Sequence, residues 1–426
     1  MNIGFFTDVY TPQIDGVVRS IKLYKQALED LGHRVYIFAP KSLKRGSIFD
    51  FIFKKEKNVF RFYAVDSLFI PGYPLTLPIS YKSTRAIPKL KLDIVHCHTP
   101  LSMGMLGDMV ALMSNVPQVF TYHTYYSEYA KYYFNLGKLK EPASKIIRKL
   151  ETFYCNRADL VIAPSEKLKK VLETKMKIET GIEILPTGID FKEFEKVNSR
   201  SFRNKYRITK DKKILLYVGR LGHEKNIPFL IRSFAKILKQ EKDVLFIIAG
   251  NGKDKENLEK LTKESGLEDN IMFLGFLNRK ETIKAFGACD IFLFSSKTDT
   301  QGLVLSEAAA SSKPIVLLDD PGLTPLVEHN KNAFLSKEDE NEYARYVIKL
   351  LRDKNLYDNM ARNSQEIARR YSIEKQAEKL VQHYEELIKN HKDSSWRAKL
   401  WSKMNKKINI SLNISGGLKK FKNLFK

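Results

Sequence analysis

The stretch "ILLYVGRLGHEKNIPFLIRSFAKILKQEKDVLFIIAG", Ile214–Gly250, decides the fold. An apolar run ends at Gly219 and Arg220, a glycine-bearing loop follows, a helical pattern comes next, and a second apolar run closes on Ala249 and Gly250. Strand, helix and strand at this spacing read as a βαβ unit, whose two strands must be parallel with the helix packed across them. The rhythm continues through "IMFLGF", "DIFLFSS" and "PIVLLDD", and an earlier series runs through "NIGFF", "RVYIFAP", "DIVHC", "QVFTY" and "DLVIAPS". Between the two series stand "GIEILPTGID" and the charged stretch "FKEFEKVNSRSFRNKYRITKDKK". The expected class is therefore α/β, with two doubly wound parallel-sheet domains over residues 1–195 and 196–370. A ligand is expected where the strand ends of both face a cleft.

Two segments follow the second series. "YSIEKQAEKLVQHYEELIKN", residues 371–390, is a helical pattern without a following strand and is expected to cross back to the first domain. Residues 391–426 form a basic tail: from Lys392 onward ten Lys or Arg stand against one Asp, and both tryptophans of the chain fall there. One reading is a solvated basic extension. The other sets Trp396, Arg397, Lys399, Trp401 and Lys403 on a helix lying in an anionic membrane interface.

Length and charge bound the rest. A chain of 426 residues accommodates two or three domains, and a formal charge of +24 calls for an anionic partner. Nucleic acid, an acidic membrane surface and a phosphorylated small molecule all qualify on charge. No RNA-recognition or helix-turn-helix signature accompanies the basic segments, so nucleic acid is not expected. Three widely spaced cysteines, Cys97, Cys155 and Cys289, argue against a disulfide framework and for a reducing, cytoplasmic setting. The start "MNIGFFTDVYTPQIDG" lacks a basic region ahead of its short apolar run and reads as a strand, not a signal peptide. No uncharged apolar run reaches the length of about 18 residues that spans a bilayer, so membrane contact is expected to be peripheral.

The chemistry concentrates at strand ends. In "YVGRLGHEKNIPFL", Arg220 directly follows a strand and Lys225 stands at the mouth of the next helix. Two cations and a helix N-terminus suit a pyrophosphate without a metal, although two solvated surface cations would look the same in isolation. In "SSKTDTQGLVLSEAAASSKPIV", Asp299 and Glu307 bracket Gly302, so the carboxylates would touch different parts of one elongated ligand. His96 and His98 in "HCHTP" lack further ligands at metal-binding spacing and read as a strand end. Asp319 and Asp320 read as a strand-to-loop turn, so no metal is expected.

These motifs, with "FTDVYTPQIDGVVRS", "TYHTYYSEYAKYY" and "AGNG", resemble those of glycosyltransferase family 4, retaining enzymes of the GT-B fold. Within that family the chain is similar to the diacylglycerol glucosyltransferases, which make alpha-monoglucosyldiacylglycerol, and the resemblance covers about residues 1 to 390. It implies an acceptor- and membrane-facing first domain and a second domain that binds a nucleotide sugar, UDP-glucose. It further implies that Gly16 lets a loop close over the donor phosphates, Arg220 and Lys225 neutralise the leaving diphosphate, and Glu307 holds the ribose. The backbone from Thr300 through Gln301 and Gly302 to Leu303 would approach the donor, and His123 would hydrogen-bond the transferred sugar at its 6-hydroxyl.

One position departs from the pattern. The family carries Glu where this chain has Asp299, one methylene shorter, which displaces its reach to the sugar by about an ångström. A second departure, Ala333 where relatives have Gly, affects a turn. On the acceptor side, Tyr125, Glu128 and Tyr129 stand just beyond His123. Tyrosines at helical spacing also suit a packed aromatic stripe. Basic segments with interleaved Phe49, Phe51 and Phe53, and "LGKLKEPASKIIRKL", are further membrane candidates. The resulting expectation is retaining, metal-independent glucosyl transfer from UDP-glucose to diacylglycerol on the inner face of the cell membrane. Alternatives are transfer of galactose or mannose to another lipid or polysaccharide, and a weakly catalytic protein that binds lipid or nucleic acid.

Overall fold

The computed structural model describes residues 1–13, 15–41, 57–66, 74–76, 85–127, 140–195, 197–296 and 298–391. Glu128, Tyr129, the phenylalanine-rich segment around Phe51, and Trp396, Arg397, Lys399, Trp401 and Lys403 lie outside them. By packing the chain divides into two units. The first comprises Met1–Pro164, Lys169–Leu185 and the chain from Ala377; the second comprises Ser165–Leu168 and Pro186–Gln376.

Among the described residues, the first unit is built on β1 (Asn2–Phe6), α1 (Gly16–Asp30), β2 (Arg34–Pro40), β3 (Val59–Phe62), a small antiparallel pair β4 (Ala64–Asp66) and β5 (Pro74–Thr76), β6 (Ile94–Cys97), α2 (Ser102–Ser114), β7 (Gln118–Thr121), α3 (Lys140–Cys155), β8 (Leu160–Ala163), α4 (Glu166–Thr174) and β9 (Ile182–Ile184). Its sheet runs β3-β2-β1-β6-β7-β8-β9, with every pairing parallel. The strands are apolar on both faces because helices cover both, so their burial is near-continuous and not alternating. Helix α1 starts where the Asp15 carboxylate accepts the Val18 N–H at 2.8 Å.

The second unit contains α5 (Ser199–Lys205), β10 (Lys213–Val218), α6 (Ile227–Gln240), β11 (Val244–Ala249), α7 (Lys255–Glu264), β12 (Ile271–Gly275), α8 (Arg279–Ala288), β13 (Ile291–Phe294), α9 (Leu303–Ala310), β14 (Ile315–Leu318), β15 (Ala333–Ser336), α10 (Glu340–Arg352) and α11 (Lys354–Arg369). The strand order is β12-β11-β10-β13-β14-β15, again parallel throughout. Alternate residues of β10 feed opposite cores. Leu215 and Tyr217 pack with Phe229, Phe234 and Tyr343, whereas Ile214 and Leu216 pack with Phe286, Phe292 and Leu305. Each such buried apolar side chain contributes about 1.5–3 kcal/mol. The last helix among the described residues, α12 (Ile373–Asn390), carries Ala377, Leu380 and Tyr384 into the interior of the first unit.

Both sheets reverse their strand order beside their first strand, between β1 and β6 and between β10 and β13. Loops leaving the carboxyl ends of those strands diverge to opposite faces and leave a crevice there. The loops in question carry Asp8 and His98 in the first unit, and Arg220 and Asp299 in the second.

Candidate active site

In the second unit the loop after β10 bends into a short 3-10 turn, His223–Lys225, before α6. Arg220 is half exposed, and its guanidinium lies 3.2 Å from Glu224, whose side chain is buried. The Tyr217 hydroxyl donates to the Arg220 carbonyl at 3.1 Å, fixing the backbone beneath that guanidinium. Lys225 reaches across to the loop after β13 and pairs with Asp299 at 2.6 Å, with side-chain exposures of 13% and 22%. The two switch-point loops are thus joined by an ion pair sheltered from solvent, where screening is weaker than at a free surface. The methylene that Asp lacks relative to Glu does not prevent this contact.

The segment from Asp299 to Leu303 is held on three sides. Lys167 donates to the Asp299 carbonyl at 3.2 Å and pairs with Asp320 at 2.5 Å, while Ser165 donates to the Thr300 carbonyl at 2.5 Å. The Gln301 amide exchanges two bonds with the Thr187 backbone, each 3.0 Å, so its side chain locks the loop. Gly302 precedes α9 with φ of +68°, a left-handed conformation that favours glycine, and a Cβ there would come within 2.9 Å of Leu305. The geometry leaves the first turn of a helix and its backbone N–H groups next to the Lys225–Asp299 pair. Glu307, one turn further in, is buried and accepts from Arg279, which also pairs with Glu193 at 2.5 Å. Burial disfavours the Arg279 charge, but Glu307 and Glu193 outweigh it, and its pKa lies above the ordinary value. A carboxylate has about four acceptor sites, so Glu307 retains capacity for hydroxyl donors.

The first unit has a different chemistry. His123 follows β7, and its Nε2 lies 3.0 Å from Nδ1 of His98. The His98 ring stacks on His96 at 4.3 Å between centroids. His96 is bonded through Nε2 to Thr121 at 2.6 Å and through Nδ1 to the Tyr384 hydroxyl at 2.5 Å. Burial lowers the pKa of all three imidazoles, that of His123 to about 3, so the array is neutral near pH 7. Asp8, fully buried after β1, accepts from Thr99 at 2.6 Å, Ser102 at 2.8 Å and the Met103 N–H at 3.0 Å, tying the β1 loop to the start of α2. Gly16 opens α1 and is exposed. Tyr125 is half-buried in the segment after His123.

Several of these partners were not singled out from the sequence: Asp8, Lys167, Glu193, Glu224, Arg279 and Tyr384. All but Glu224, which stands one helical turn from Arg220, meet their counterparts across a large sequence separation, and no local pattern marks such a pair. Helix α3 adds another feature. Ile146, Leu150 and Phe153 are 61%, 51% and 56% exposed along one face. Beside them Lys145, Arg148, Lys149, Thr152, Lys175 and Met176 line a depression of about 320 Å³. Among the described residues, no cluster of three or more His, Cys, Asp or Glu could hold a metal, and no helix is long and apolar enough to cross a membrane.

Residues 14–193 match the family model "Glycosyltransferase Family 4", and residues 198–367 match "Glycosyl transferases group 1". The alpha-monoglucosyldiacylglycerol synthase of Acholeplasma laidlawii is 32% identical over 92% of this chain and 99% of its own length. The chain belongs to glycosyltransferase family 4. A second synthase of the same name, from Streptococcus pneumoniae, is 33% identical to this glycosyltransferase over 77% of the chain and 73% of its own length. Among solved structures, Anabaena HepE in complex with UDP aligns with a TM-score of 0.71 at 20% identity, covering 91% of this chain and 100% of that one. Sucrose-phosphate synthase from Thermosynechococcus elongatus aligns at 0.72 and 19%, covering 91% and 99%. These neighbours establish the GT-B fold, and family membership makes the protein a hexosyltransferase.

Proposed function

We propose that this glycosyltransferase moves glucose, with retention of configuration, from UDP-glucose to diacylglycerol at an anionic membrane surface. The observation that carries the donor half is the pair of switch-point loops in the second unit. They bring Arg220, the Lys225–Asp299 pair and the N-terminus of α9 together at the ends of β10 and β13. As the bond from the anomeric carbon to the diphosphate breaks, negative charge grows on the leaving oxygen. Preorganised cations and N–H dipoles stabilise it there. The acceptor hydroxyl forms its bond on the same face of the sugar and passes its proton to the departing diphosphate. In this scheme Gly16, at the first turn of α1, lets the backbone approach the donor phosphates, Glu307 receives the ribose hydroxyls, and His123 meets the transferred sugar as a neutral imidazole. No metal ion has a role in this scheme.

Glucose and diacylglycerol as the particular partners are supported by the names of the two relatives, each over 30% identical. The membrane is supported by α3, where an apolar stripe borders a basic depression, the pattern of a surface that rests on anionic lipid. In this reading Tyr125 meets the glycerol end of the acceptor; Glu128 and Tyr129 as acceptor residues and the basic tail as a membrane contact are readings of the sequence alone, outside the described residues. Activity is expected on vesicles of diacylglycerol and anionic phospholipid, to survive excess chelator, and to fall on neutral vesicles. Loss of transfer in chelator would refute the metal-free scheme, and equal activity on neutral vesicles would refute the membrane contact.

A further inference from the structure

Glu151 is a carboxylate with no assigned work in a place where apolar packing would be expected. It lies on α3, 1% exposed, facing inward while Ile146, Leu150 and Phe153 face out. Its Oε1 accepts from the Tyr122 hydroxyl at 2.7 Å and from the Tyr126 N–H at 2.8 Å. Seven residues earlier, on the same face of the helix, Ser144 donates to the Ser127 carbonyl at 2.8 Å. The segment Tyr122–Ser127, which contains His123 and Tyr125, is therefore tied to α3 at three points. Two of those ties end on one buried carboxylate oxygen.

A buried carboxylate is costly unless its bonds repay the loss of hydration, and removing its partners costs more than an ordinary surface bond. Packing alone does not call for it: the neighbouring inward position, Cys155, is a small apolar-like side chain with 0% exposure. Tyr122 is itself 1% exposed, so its hydroxyl also depends on Glu151 for satisfaction. Two donors on one oxygen fix the direction of approach as well as the distance, and they bracket His123 in sequence. A backbone bond on the far side of His123 and a side-chain bond just before it leave that residue little freedom to shift along the strand end.

We propose that Glu151 is a positioning residue: through Tyr122 and Tyr126 it sets where His123 and Tyr125 stand relative to the acceptor. The proposal rests on the reading of His123 and Tyr125 given under Proposed function. The same helix bears the exposed apolar stripe, so α3 connects the lipid-facing surface to the substrate loop in one rigid element.

Two measurements on the full-length protein separate this proposal from the functional reading. Hydrogen exchange followed by mass spectrometry reads the Tyr122–Ser127 amides without any substrate, and steady-state kinetics on diacylglycerol vesicles read the acceptor and donor separately. Glu151→Gln, whose amide oxygen can accept both bonds, should keep wild-type protection and kinetics. Glu151→Leu should lose protection in Tyr122–Ser127 and raise the acceptor KM about tenfold or more, with UDP affinity within about twofold of wild type. If Glu151→Leu fails to fold, Tyr122→Phe, which removes one of the two bonds, should give the same pattern in smaller degree. Wild-type protection and acceptor KM in folded Glu151→Leu, or in Tyr122→Phe when the first does not fold, would overturn the proposal. So would equal loss of UDP and acceptor binding. If the wild-type protein transfers nothing to diacylglycerol, the functional reading fails while exchange still decides the role of Glu151.

Discussion

The two halves of the protein place functional groups at equivalent points of the same sheet topology and arm them oppositely. In the second unit stand cations and carboxylates in pairs: Arg220 with Glu224 and Lys225 with Asp299 at the switch point, and Arg279 between Glu307 and Glu193 beside it. At the strand ends of the first unit, beside the buried Asp8, stand neutral imidazoles held by hydrogen bonds and stacking: His123 on His98, His98 on His96, and His96 on Tyr384 and Thr121. In the proposed function a diphosphate brings charge and is met by charge, while a sugar and a lipid alcohol bring hydroxyls and are met by directional, uncharged donors and acceptors.

The contrast is sharpest for Arg220. In Arg220→Ala the developing diphosphate loses a preorganised cation, and turnover should fall by about a hundredfold or more with the fold intact. A thermal unfolding curve and a single-turnover assay check both halves of that expectation. Activity near wild type would remove the electrostatic half of the comparison.

Next in size is the pH dependence of the neutral half. Burial pushes the Glu151 carboxyl up from the usual 4.5 to about 7, while the bonds from Tyr122 and Tyr126 act against that rise. A carboxyl raised in the folded state binds its proton there while the unfolded chain has released it. Its contribution therefore destabilises progressively as pH rises from 4.5 to 7, by at most about 3 kcal/mol. The buried imidazoles act in the opposite sense, since stability falls as the pH drops below 6.5 and the unfolded state takes up protons that the folded state refuses. The informative quantity is the difference between wild type and Glu151→Gln in urea unfolding at pH 5 and pH 8. The variant should gain stability relative to wild type at the higher pH. Parallel curves would mean that Glu151 titrates as it does in the unfolded chain.

Arg279→Met tests the charged half at a residue that touches Glu307. Glu307 and Glu193 would lose the cation they share, with stability falling by about 1–3 kcal/mol and the donor KM rising about tenfold. An unchanged donor KM would show that Glu307 needs no such partner to receive the ribose. The smallest effect is expected at α3, where Ile146→Ser, Leu150→Ser and Phe153→Ser together should weaken binding to anionic vesicles while leaving UDP affinity unaltered. Flotation of the triple variant with vesicles at low and moderate salt measures it, and unchanged flotation would separate α3 from the membrane.

How much of this was legible before the structure depends on the range of the interaction. The parallel sheets were legible because a strand buried on both faces writes itself as a local apolar run, as in "ILLYV" and "VLFIIA". The loop residues Arg220, Lys225, Asp299 and Gly302 were legible because strand ends and helix starts are also local. Their partners were not. That Arg279 serves Glu307 and Glu193, that Lys167 holds the Asp299 loop, and that Tyr384 completes the histidine array are products of tertiary approach over tens to hundreds of residues. Glu151 was hidden for a related reason. In "KIIRKLETFY" it looks like one more charge on an amphipathic helix, and only the packing shows that it faces inward.

The central claim is that the charged half discharges a nucleotide sugar and the neutral half delivers it to a lipid alcohol. Its most direct test is to supply radiolabelled UDP-glucose, with UDP-galactose and GDP-mannose in parallel, on vesicles of diacylglycerol and anionic phospholipid. A chloroform-soluble glucosyl lipid of alpha configuration, formed from UDP-glucose in preference to the other two donors, is the predicted result. Absence of any lipid product from a protein that still binds UDP would contradict it.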